Sequence, residues 1–207
     1  MAYTVFDTPI IKNILRLVSL IILKVTGWRK EGRLPFRSKY VIIAAPHTSN
    51  WDFFYVLLFS FAFKVKAYWM GKDTIFKKPF GNIMKWLGGI PVHRNKFNNL
   101  VQETIDQFKT KNKLALIIPP EGTRAQVKYW RTGFYHIALG ADVPILLGFL
   151  DYKRKTGGLG PLFYPTGDIN LDMQKIQNFY SKIKGKYTEK FNKYTEVIKY
   201  KKEKKCS

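Results

Sequence analysis

The stretch Tyr40-Val41-Ile42-Ile43-Ala44-Ala45-Pro46-His47-Thr48-Ser49-Asn50-Trp51-Asp52 decides how this chain folds. Its first half has the length and β-branched content of a buried strand. The apolar run Phe53 to Phe63 that follows it is long enough for three turns of helix but too short to span a bilayer. A histidine and an aspartate five residues apart therefore sit at a strand-to-helix junction, where α/β folds place reactive groups. Inside one helix, 100° per residue would turn them about 140° apart. They meet only if His47 precedes the helix and Asp52 lies in its first turn. Thr48, Ser49 and Asn50 are all N-cap residues and support that arrangement. An aspartate that accepts from one imidazole nitrogen leaves the other free as a general base. Taken alone, a His-x4-Asp spacing is weak evidence.

Outward from this junction the chain alternates strands and helices. Val65 to Met70 reads as a strand. Asp73 caps a helix that runs, interrupted near Pro79 and Gly81, to Leu87. Asn98 to Thr110 is a helix with Leu100, Val101, Ile105 and Phe108 on one face. Lys113 to Ile118 is a strand, Thr132 to Gly140 a helix and Val143 to Leu150 a strand. Phe163 to Thr166 is a further short strand, and one long helix is expected from Asn170 onward, with Gly185 as a point of interruption. The alternation predicts a single α/β domain: a mixed or mostly parallel sheet flanked by helices, with an amphipathic N-terminal helix and a basic C-terminal helix. The expected divisions are 1–28 for the first helix, 29–185 for the domain and 186–207 for the basic helical tail. No dinucleotide-binding glycine motif, P-loop or internal repeat is present.

Composition narrows the partners. The net charge is +22 over 207 residues, which suits anionic lipid headgroups or nucleic acid phosphates. The single cysteine, Cys206, lies in the charged tail, so no intrachain disulfide is available and no core thiol can act as nucleophile. Met1 to Pro9 has no basic region of the kind that opens a signal peptide. From Thr8 to Trp28, Lys12, Arg16 and Ser19 form a narrow polar stripe, and Ile10, Ile11, Ile14, Leu15, Val18, Ile21, Ile22 and Val25 fill the rest of the helix. That pattern suits a helix lying in a membrane interface, which places the protein at the cytoplasmic face as a peripheral or monotopic protein. Lipid is the expected partner rather than nucleic acid.

A second strand-end loop follows Ile118: Pro119-Pro120-Glu121-Gly122-Thr123-Arg124. If its strand runs parallel to the first, this loop and His47 open on the same sheet edge. Gly122 admits close backbone approach, Thr123 donates a hydrogen bond and Arg124 offers a bidentate grip on an anion. Arg94, after the turn at Gly88-Gly89, supplies another guanidinium. His93 and His136 have no carboxylate at hydrogen-bonding spacing and read as structural. No His/Cys/Asp cluster has metal-ligand spacing, so no metal is expected.

Four ordered blocks now stand out: His47-x4-Asp52, Gly88-Gly89-Ile90-Pro91-Val92-His93-Arg94, Pro120-Glu121-Gly122-Thr123-Arg124 and Val143-Pro144-Ile145. Together they resemble the glycerolipid acyltransferases, typified by 1-acylglycerol-3-phosphate acyltransferases. Trp86-Leu87-Gly88-Gly89, Gly133-Phe134-Tyr135-His136-Ile137-Ala138 and Phe149-Leu150-Asp151-Tyr152 look like a compact bacterial subgroup of lysophospholipid acyltransferases. The likeness runs from about Tyr40 to Gly185. It implies that His47 is the general base and that Asp52 orients it. It also implies that Glu121, Gly122, Thr123 and Arg124, helped by Arg94, bind the acceptor's phosphate and glycerol. The donor would be acyl-CoA or acyl carrier protein, attacked directly by a lysophospholipid hydroxyl, with no cofactor. Ser49 is the alternative, as an acyl-serine. Pro119 replaces the family's usual aromatic and Ala125 its usual serine, which bears on the acceptor. A lyso-aminolipid, a saccharolipid precursor, or a non-catalytic basic module that binds lipid or nucleic acid are the competing readings.

Overall fold

The computed structural model describes residues 3–92 and 97–190. At its centre is the strand read first, β2 (Lys39–Ala45). Its parallel neighbours are β5 (Leu114–Ile118) and β6 (Ile145–Asp151), with Ile43 opposite both Ile118 and Leu147. Beyond β5 lie β3 (Ala67–Lys72) and the edge strand β4 (Gly89–Val92), both parallel. Beyond β6 lies β7 (Thr156–Phe163), antiparallel, and then β1 (Arg29–Glu31), giving the order β1-β7-β6-β2-β5-β3-β4. The expected mixed, mostly parallel sheet is therefore observed, with one antiparallel pair.

Because successive side chains alternate between faces, each strand feeds two cores. Val41, Ile43, Leu114, Leu116, Ile145 and Leu147 face α4 (Phe97–Thr110), α5 (Gly133–Gly140) and α6 (Ile169–Tyr180). Ile42, Ala115, Ile117, Leu146 and Leu150 face α2 (Trp51–Phe63), which in turn carries α1 (Pro9–Val25) through Phe6, Leu23 and Trp28. Burial on both sides explains the near-continuous apolar runs of the central strands.

Several elements depart from expectation. Arg29-Lys30-Glu31, outside every expected strand, is an edge strand; charged edges of this kind resist further pairing and carry no apolar signal. The strand expected at Phe163–Thr166 is instead β7, which ends at Phe163. Its Thr156-Gly157-Gly158-Leu159-Gly160-Pro161 has the composition of a turn. Gly157 is there because the Phe59 ring fills the space of a side chain: a Cβ would lie 2.1 Å from Phe59 Cε2. The helix expected from Asp73 to Leu87 is a 3-10 turn, Asp73–Phe76, followed after Pro79 by the short α3 (Gly81–Trp86). The C-terminal helix does not run on: α6 closes at Tyr180, and a non-helical segment leads to a 3-10 turn at Thr188–Lys190. The tail beyond residue 190 lies outside the described residues, as do His93 and Arg94.

The first helix is amphipathic, but its polar stripe turns inward at Arg16 and Ser19, while Lys12 stays exposed. Ser19 is buried, and Arg16 places a buried Nε against the protein with no hydrogen-bond partner among the described residues. Ile10, Ile14, Leu17, Ile21 and Val25 face outward, Ile10 and Val25 at 75% and 80% exposure. No helix among the described residues is long and apolar enough to cross a membrane.

Candidate active site

The chain leaves β2 at Ala45, turns through the loop at 46–50, and enters α2 at Trp51. Asp52 is 3% exposed and organises this loop. Its Oδ2 lies 3.1 Å from His47 Nδ1 and accepts from the backbone N–H groups of Thr48 and Ser49, each at 2.8 Å. One carboxylate thus caps the turn and holds the imidazole. With Nδ1–H donated to Asp52, Nε2 keeps the lone pair, which is what a general base requires. His47 and Asp52 are brought together as their positions in the sequence require. Ser49, the alternative nucleophile, is buried, and its Oγ accepts from Trp51 N at 3.1 Å just ahead of α2.

The second loop lies beside the first because β2 and β5 are adjacent and parallel. Glu121 turns inward, and its Oε1 accepts from His47 N at 3.2 Å. Its Oε2 is buried with no partner among the described residues. Burial pushes the Glu121 carboxyl up to about 7, and the hydrogen bond from His47 N–H opposes that only in part. Glu121 therefore anchors the His47 loop from below and does not line the cavity. Gly122 has φ +64, and its N–H donates to Pro119 O at 3.1 Å, so that donor is already used within the loop. Thr123 and Arg124 do face the cavity.

That cavity measures about 670 Å³, and its lining includes the exposed Arg124 and Lys72 beside the half-buried His47 and Thr123, so it opens there. It runs under one face of α2, past Phe53, Val56, Ser60 and Phe63, over a floor that includes Ile42, Ile117 and Gly158. From Asp52 to Phe63 the helix advances about 16 Å. Reactive and cationic groups thus stand at the mouth of a long apolar channel.

Residues 27–146 match the family described as Acyltransferase. The chain belongs to this acyltransferase family. Its fold is similar to the crystal structure of the 1-acyl-sn-glycerophosphate (LPA) acyltransferase, PlsC, from Thermotoga maritima. The two share 17% identity over 82% of this chain and 76% of that one, with a TM-score of 0.58. Comparison with curated proteins finds no match.

Two side chains of this acyltransferase escape a reading of the sequence. Tyr152, at the start of the β6–β7 turn, donates its hydroxyl to Asp52 Oδ1 at 2.6 Å across 100 residues of sequence. Burial, then the adjacent Asp52 carboxylate, raise its phenol well above the ordinary value, which keeps the proton on the donor. Trp28 packs edge-on to its ring, and the Lys186 ammonium sits 5.6 Å over the ring face. Tyr152 N–H donates to Lys184 O, Gly185 lies on Thr48 and Pro46, and Tyr187 N–H donates to Thr48 Oγ1. The segment after α6 is therefore a strap across the outside of the His47 loop. Lys72, at the end of β3, is the second missed side chain, exposed at the cavity mouth. Both stand at strand ends, and Tyr152 closes the Phe149-Leu150-Asp151-Tyr152 block, but neither signal gave it a role. Of the remaining histidines, His136 is exposed on α5, away from the cavity lining.

Proposed function

We propose that this acyltransferase moves a fatty acyl group from a thioester, acyl-CoA or acyl carrier protein, to the free hydroxyl of a lysophospholipid such as 1-acylglycerol-3-phosphate, in phospholipid biosynthesis. The observation that carries the reading is the His47–Asp52 pair at the mouth of an apolar channel rimmed by Arg124 and Lys72. His47 Nε2 takes the proton of the acceptor hydroxyl as its oxygen bonds to the thioester carbonyl carbon. The tetrahedral adduct collapses with loss of the C–S bond, and the departing thiolate recovers the proton from the imidazolium. The channel shields the acyl chain, since methylene burial is favourable at about 0.8 kcal/mol each. Arg124 and Thr123, with Lys72, hold the phosphate by charge-assisted hydrogen bonds. Arg94 belongs to the same proposal by resemblance.

Membrane association is part of the reading. α1 presents an unbroken apolar face to the outside while the chain carries +22, the two properties that hold a helix in an anionic membrane surface. Such a position brings lipid acceptors to the cavity mouth. A basic nucleic-acid module would have no use for that face. The test is a mass-spectrometric assay of purified protein on vesicles. A panel of lysophospholipids, lyso-aminolipids and saccharolipid precursors is offered with each donor type. A phosphorylated lysolipid gaining the mass of one acyl group supports the reading. Acylation confined to unphosphorylated acceptors contradicts the phosphate roles.

A further inference from the structure

A second apolar cavity, of about 230 Å³, lies under α4 and α5. Its walls include Met70, Ile118, Leu100, Val101, Phe134 and Ile137. Alternation along the strands fixes where it is relative to the first. Ile117, which lines only the first cavity, belongs to the core on the α2 side, whereas Ile118, which lines only the second, packs with the core on the opposite side. The two cavities therefore occupy opposite faces of the sheet. They meet over the ends of β3 and β5, where both are lined by Met70, Gly71, Lys72, Pro119 and Gly122. Arg131 crosses this seam: a Cβ on Gly122 would lie 2.8 Å from its Cδ and Nε. Lys72 and Arg131 thus stand where the cavities join, with Arg124 on the side of His47.

We propose that the second cavity holds the acyl chain the acceptor already carries, so that the two chains of the product straddle the ends of β3 and β5 with the phosphate at the seam. The inference rests on the acyltransferase reading above and goes beyond it. A diacyl product has two apolar chains joined at one anionic headgroup. The site has two apolar cavities joined at a cationic seam. A thioester donor's pantetheine arm fits the second cavity poorly, because its amides would be buried against Val, Leu, Ile and Phe side chains without partners. At roughly 30 Å³ per water, the cavity has room for about seven or eight waters, which suits the first part of a chain, the remainder extending beyond the protein.

The test uses full-length protein on vesicles and a 1-acylglycerol 3-phosphate bearing a diazirine within its chain. Photolysis followed by peptide mass spectrometry should place the label on α4 or α5, at or near Leu100, Val101, Phe134 and Ile137. Label confined to α1 or to Phe53–Phe63, or no label, overturns the proposal. In parallel, Leu100→Trp, at a half-buried position, should raise KM for a palmitoyl acceptor about tenfold, the equivalent of roughly two methylenes denied burial. It should leave a hexanoyl acceptor and the donor-chain profile unchanged. A shift in the donor profile instead would also overturn it. Wild-type protein that acylates no lysolipid defeats the activity reading wherever the label falls. Acyl transfer with label in the first cavity defeats only the two-cavity inference.

Discussion

Asp52 accepts four hydrogen bonds, from His47, Thr48, Ser49 and Tyr152, and together they fix the loop that carries the proposed base. Tyr152 is the one of these that touches neither His47 nor its loop by sequence. Tyr152→Phe removes a donor to a buried carboxylate, a loss of about 1.5–3 kcal/mol. If the bond serves the dyad, kcat falls about tenfold or more while KM for both substrates moves little. Steady-state kinetics check this, and a rise in KM at unchanged kcat would place Tyr152 in binding instead. Glu121 gives a pH prediction. Its folded value, about 7, lies above its ordinary 4.5, so the folded state holds its proton more tightly than the unfolded chain does. The corresponding stabilisation is full below pH 4.5 and is lost as pH rises through 7, about 3 kcal/mol in all. Glu121→Gln keeps an acceptor for His47 N–H and has no proton to lose. Relative to wild type, its urea midpoint should therefore rise between pH 5 and pH 8. A constant difference between the two proteins across that range would show that Glu121 does not titrate there.

At the scale of elements, α1 gives the clearest prediction. Deleting it would also remove Leu23 and expose Trp28, both core residues, so loss of membrane binding would be confounded with unfolding. Serine at Ile10, Ile14, Leu17 and Ile21 touches only the outward face. The quadruple variant should keep its circular dichroism spectrum and move from vesicle-bound to unbound in a flotation assay. Undiminished flotation would assign membrane binding, if any, to charge alone. The same helix shows what a sequence can and cannot convey. Amphipathicity was legible from spacing, but not which face the protein keeps; here a stripe with one arginine and one serine packs inward. The buried central strands were legible because both faces are apolar. β1 and β7 were not, because one is entirely charged and the other yields its side-chain volume to Phe59. The His47–Asp52 pair was legible from a strand-to-helix boundary. Tyr152 was not, since a contact spanning 100 residues leaves no local periodicity.

For the whole molecule, sheet order is what makes a site from scattered residues. β5 and β6 flank β2 in parallel, so the Glu121 loop and the Tyr152 turn both arrive at the edge where His47 stands. The strap after α6 closes over the outside of that edge, and α2 roofs the channel that leads from it. In the proposed function, the +22 charge and the exposed apolar helix bring this edge to an anionic lipid surface. The central claim is that His47 is the base for acyl transfer at this site. The direct measurement is the initial rate of acyl transfer to 1-acylglycerol 3-phosphate by wild type and His47→Ala, on the same vesicles, with circular dichroism recorded for both. The account predicts a folded variant whose turnover falls at least 100-fold, the lower end for loss of a general base. A folded His47→Ala protein that turns over at the wild-type rate would contradict it.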